Sequence, residues 1–112
     1  MSLRQIPFSS LTSEMIPQAI ISRPVERIAG KFRILEDYDD FDLFEGVALI
    51  LNETLHVALK HYQGHKPGTT TVYLPATVSD VDEIAEVVRR LFDELNLPLK
   101  DLAWERAERA NY

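Results

Sequence analysis

Three histidines, His56, His61 and His65, fall within ten residues, and imidazole is the commonest ligand of protein-bound zinc. Their spacing works against a shared ion. His56 and His61 have opposite parity on one strand and so point to opposite faces. The four-residue step from His61 to His65 would need a helix, which Gly64 and Pro67 oppose. No metal site is expected there. A second cluster, Glu36, Asp37, Asp39, Asp40, Asp42 and Glu45, puts six carboxylates in ten residues, a density that suits a hard cation such as calcium. No glycine stands where a calcium loop turns sharply, and aromatic residues occupy the intervening places. We read the run as a solvated acidic loop pinned by Tyr38, Phe41 and Phe44, which as a second reading docks a basic partner surface.

The stretch from Gly64 to Thr69 superficially resembles a phosphate-cradling loop, but a strand follows it where such a loop needs a helix. Turn chemistry accounts for Gly64, Pro67 and Gly68 without a ligand. Among the serines none sits in a Gly-x-Ser-x-Gly elbow, and Ser79 reads as a helix cap. No acidic residue is expected on the apolar face, where burial would raise its pKa into the range useful for acid–base work. The chain is therefore read as non-enzymatic and without a cofactor.

The frame for these residues is a chain of 112 residues, 46% hydrophobic and 27% charged, the ordinary composition of one globular domain. With no cysteine, disulfides, thiolate nucleophiles and cysteine zinc sites drop out. A net charge of -6 disfavours a nucleic-acid partner, whose phosphates call for a basic surface. No apolar run approaches a membrane span and no secretory signal is evident, so the reading is a cytoplasmic protein.

The middle of the chain carries the clearest pattern. Val47 to Leu51 is continuously apolar and Leu55 to Tyr62 alternates, with Asn52, Glu53 and Thr54 as a hairpin loop. A three-residue loop pairs Leu51 with Leu55, Leu49 with Val57 and Val47 with Leu59 on one face. A second hairpin that pairs Tyr62 with Thr69 brings Leu59 to Val72 and extends the same face. A further strand around Lys31 to Leu35 is expected to join. Ser79 or Asp80 then caps a helix whose stripe is Val81, Ile84, Val88, Leu91 and Leu95. The prolines at 7, 17 and 24 interrupt the N-terminal stretch, leaving a short helix from Pro24 to Ala29 ended by Gly30. Residues 99–112 are read as helix on their Ala, Glu and Arg content, although Leu102 and Trp104 alternate as an edge strand would.

The expected fold is α+β: an antiparallel meander of about four strands, one long amphipathic helix on one face, a Pro-interrupted arm over 1–30 and a core domain over 31–112. The other face of the sheet is expected to carry Ile50, Ala58, Lys60, Tyr62 and Tyr73, residues suited to an interface with a second copy or a protein partner. The alternative is a small-molecule site, or a small enzyme, on the same face using His56, Lys60, Tyr62 and Tyr73.

Overall fold

The computed structural model describes residues 3–39 and 42–106, and forms both central hairpins in the register that the apolar pattern predicts. Strands β4 (Leu43–Leu51) and β5 (Leu55–Tyr62) pair Leu51 with Leu55, Leu49 with Val57 and Val47 with Leu59. Strand β6 (Thr70–Pro75) then sets Val72 against Leu59. The left-handed residues of the first turn are Asn52 and Glu53, with φ of 55° and 60°, not Thr54, whose N–H closes the turn onto the Leu51 carbonyl at 3.2 Å.

The expected four-stranded meander is too small. Among the described residues seven antiparallel strands form one sheet in the order β1-β4-β5-β6-β2-β7, with β3 also on β4. The additions are β1 (Leu3–Ile6), β2 (Met15–Ile21), β3 (Leu35–Tyr38) and β7 (Leu102–Glu105). The Pro-interrupted arm thus supplies two of these strands, β1 and β2. Pro17 is tolerated inside β2 because the register with β6 shifts between Pro17 and Ala19, and β7 pairs only from Ala19 onward. Among the described residues no β7 residue pairs with Pro17.

The segment read as helix over 99–112 is also corrected. Leu99–Asp101 is one 3-10 turn and Leu102–Glu105 is strand, while residues 107–112 lie outside the described residues. Pairing with β2 overrides the helical composition, because Leu102 and Glu105 turn inward where Ile21 and Ala19 already face the core. Glu105 is 5% exposed and bonds Arg89 of the long helix, which places a carboxylate on the apolar face where none was expected.

The acidic run is likewise mostly strand rather than loop. β3 pairs with β4 so that Glu36 lies opposite Glu45 and Asp37 opposite Phe44, leaving 39–42 as the connection. Asp40 and Phe41 lie outside the described residues. Like charges directly opposite each other weaken this hairpin. β1 and β3 share one edge of β4 end to end, and the Gln5 amide joins them: its NH2 donates to the Arg33 carbonyl at 2.6 Å and its oxygen accepts the Arg33 N–H at 2.8 Å.

Helices α1 (Val25–Ile28) and α2 (Val81–Glu94) cover the face made by Val47, Leu49, Val57, Leu59, Val72 and Leu74. α2 buries Ile84, Val88, Leu91 and Phe92, follows Asp80 as N-cap, and ends where Asn96 takes a φ of 57°. Each of its fully buried large side chains contributes on the order of 1.5–3 kcal/mol of transfer free energy. Among the described residues no helix is long and apolar enough to cross a membrane.

From β1 at one edge the chain must reach β2 beyond β6, and it does so across the face opposite α2. Ile6 and Phe8 lie on that face, the Phe8 ring packing edge-on to Phe44 at 5.3 Å. Beneath the crossing Ala48 and Ala58 are fully buried.

Candidate functional site

Because directly paired residues share a face, the register lays out the surface opposite α2 row by row. One row crosses the whole sheet: Leu35, Gly46, Lys60, Thr71, Ile20 and Trp104. On one side of it runs Asp37, Phe44 and Tyr62, and on the other Ile6, Ala48, Ala58, Tyr73 and Pro17. Gly46 is required by the backbone itself, since a Cβ there would stand 2.1 Å from the Leu59 carbonyl oxygen.

Lys60 forms the hub of this face. Its ammonium lies 4.4 Å from the ring centre of Phe44, 5.3 Å from Tyr73, 5.5 Å from Tyr62 and 5.8 Å from Phe8. It donates to the Tyr62 hydroxyl at 3.2 Å and stands 3.6 Å from the Asp39 carboxylate. The Tyr62 hydroxyl in turn donates to Asp39 at 2.5 Å. Burial pushes the Lys60 pKa down, with Asp39 pulling the other way. Burial, followed by the bond to Asp39, raises Tyr62, and burial with the nearby Asp39 charge raises Tyr73. These causes keep both phenols neutral at neutral pH, while the Asp39 carboxylate opposes the loss of the Lys60 charge.

Beyond Tyr73 the face opens into a groove of two lobes. The lobe toward β7, about 670 Å³, has Ile20, Thr71 and Trp104 below and His65 and Lys66 above. The lobe toward the start of β2, about 850 Å³, is lined by Glu14, Met15, Asp42, Tyr62 and Gly64 among others. The two lobes meet at Pro17, His65 and Tyr73. The hairpin tip between β5 and β6 forms the overhang, its sharp bends supplied by Gly64 and Gly68 at φ of 96° and 78°. The imidazole of His65 packs on Tyr62 at 5.5 Å. Arg106 anchors the far wall by bonding Gln18 and the Pro17 carbonyl, with its guanidinium 5.7 Å from the Trp104 ring centre.

Of the residues the sequence singled out, Lys60, Tyr62 and Tyr73 are brought together and His56 is not. His56 lies in the row of Arg4 and Ile50, four residues from Lys60 and about 13 Å along the strand. Ile50 stands with it, half-buried, away from the groove. Ala58, expected near the centre of an exposed interface, is fully buried within the chain. Phe8, Asp39, His65 and Trp104 were not grouped with this face by the sequence. For Trp104 the alternation with Leu102 misleads, since it would put both on one face, whereas the register shift at Ile20/Ile21 leaves Leu102 on the helix side and Trp104 on the other. The other three arrive from a turn, a strand connection and a hairpin tip, which have no periodicity to read.

Next to Tyr62 on β5, His61 has the parity of the helix side and donates from Nδ1 to the Thr69 carbonyl at 2.8 Å. Among the described residues no group of three or more His, Asp or Glu is placed to hold a metal ion. Comparisons of the chain with protein-family models, with curated proteins and with solved structures find no match.

Proposed function

We propose that this protein is a non-enzymatic binding module that holds a small molecule in the groove between Trp104 and the β5–β6 hairpin tip. The observation that carries the reading is an open concavity with an apolar floor, aromatic walls and a few fixed polar groups, the usual constitution of a ligand site. Each lobe by itself falls within the roughly 300–1,000 Å³ of such sites. Lys60 and Asp39 line neither lobe and bond the Tyr62 hydroxyl, so they support the wall that Tyr62 presents rather than face a ligand themselves. An interface with a second copy on this face would use Ala58, which is buried within the chain.

Trp104 is the single tryptophan, so its emission reports on this groove alone. Titration with a panel of one- and two-ring aromatic compounds should give a saturable one-to-one change in emission. The change should be lost when the floor is made polar in Ile20→Gln, with the fold retained by circular dichroism. If no compound perturbs Trp104, or if the variant responds as the parent does, the proposal fails. Sedimentation in the same buffer decides the rival reading, since a dimer that closes the groove also refutes it.

A further inference from the structure

We infer that the lobe toward β7 selects a flat aromatic anion, an aryl carboxylate in chemical class; this rests on the binding proposal above and adds the sign and shape of the ligand. Charge is the first argument. The chain carries a net charge of -6, yet among the described residues the lining of this lobe includes Lys66, His65 and the hydroxyls of Ser22, Thr69 and Thr71, and no carboxylate. The acids of the groove, Glu14 and Asp42, belong to the other lobe. At physiological ionic strength charges more than about 8 Å apart are largely screened, so the local set of donors outweighs the distant net charge.

Lys66 is the group free to act. Arg4, Arg23, Lys60, Arg89 and Arg90 each face a carboxylate, Arg106 is held by Gln18, and Arg27, Lys31, Arg33 and Lys100 do not line this lobe. Lys66 has no such partner among the described residues, and the tip that carries it is itself fixed, since Thr69 Oγ1 donates to the Lys66 carbonyl at 2.6 Å. An ammonium presented by a braced turn over an apolar floor suits a carboxylate whose ring lies on that floor.

Shape is the second argument. Thr71, Ile20 and Trp104 stand side by side on β6, β2 and β7, so the two outer strands are about 10 Å apart across Ile20. Trp104 flanks Ile20 on the β7 side, and Tyr73, two residues along β6 from Thr71, stands diagonally across on the other. A flat ring laid over Ile20 meets an aromatic wall on each flank, while a branched aliphatic body would not use those faces.

Calorimetry on the full chain with three isosteric probes tests this: naphthalene-2-carboxylate, naphthalene-2-methanol and 2-naphthylmethylammonium. The carboxylate should bind at least about tenfold more tightly than the alcohol, the effect of one hydrogen bond to a charged donor, with the ammonium weakest. Lys66→Met, at an exposed turn, should remove that advantage and leave the alcohol unchanged. If the alcohol or the ammonium binds as well as the carboxylate, or if Lys66→Met leaves the carboxylate affinity intact, the anion inference is overturned while the groove proposal stands. If none of the three binds and Trp104 emission is unmoved by the wider panel, both fall.

Discussion

The ammonium of Lys60 sits 4.4 Å from the centre of the Phe44 ring, directly across the β4–β5 pairing from Gly46. Phe44 also receives Phe8, so one cation links the sheet to the segment that crosses it. This arrangement fixes Tyr62 and Tyr73, and through them the wall of the groove.

The link between Lys60 and Phe8 is measurable as a coupling energy. In a double-mutant cycle of Lys60→Met and Phe8→Leu, urea unfolding should give a coupling of about 0.5–1 kcal/mol, the range for a partly solvated cation–π contact. Additive effects of the two substitutions would show that Phe8 packs on the sheet without sensing the charge.

Alkaline stability follows from the phenols. An unfolded tyrosine loses its proton near pH 10, and burial and Asp39 raise both Tyr62 and Tyr73 above that value. Their contribution is therefore complete below about pH 10 and is lost as pH rises toward the folded values. Lys60 acts oppositely: its lowered pKa makes the unfolded chain the better proton binder, so stability is regained as pH rises from the folded value toward 10.5. Two raised groups against one lowered group, with Tyr62 shifted most, leave a net loss above about pH 10. Tyr62→Phe should be less stable than the parent at about pH 8 and approach it at about pH 11. A gap that stays constant between those conditions would contradict the assignment.

Gly46→Ala tests the close approach of β5. A methyl 2.1 Å from the Leu59 carbonyl oxygen cannot be relieved by rotating a side chain, because the obstacle is backbone. The substitution should lower stability by roughly 3 kcal/mol, the upper end for overpacking, seen as a lower urea midpoint with unchanged slope. A shift below about 1 kcal/mol would mean that the strand can move aside.

What could be read from the sequence follows where periodicity is strong. Val47–Leu51 and Leu55–Tyr62 fix their own register, and parity then assigns Lys60, Tyr62 and Tyr73 to one face. Parity gives the face of a residue and not its distance along the strand, which is why His56 was placed with them. β1 and β7 are four residues each, too short for alternation to stand out, and β2 hides behind a proline that its bulge accommodates. The ammonium cage was half visible for the same reason: its strand members obey a pattern, whereas Phe8 and Asp39 come from connections.

The position of β2 between β6 and β7 also governs how the chain folds. Arg106 and Gln18 are 88 positions apart yet bonded, and Thr70 reaches the Arg23 carbonyl across 47 positions. An N-terminal strand that must wait for its two late neighbours forfeits local closure, so loop entropy is spent before the sheet rewards it. Such non-local pairing places folding in the slow range of roughly milliseconds to seconds. During synthesis the apolar strand at Met15–Ile21 emerges well before β6 and β7, and it is the segment on which a chaperone or an aggregating neighbour would act.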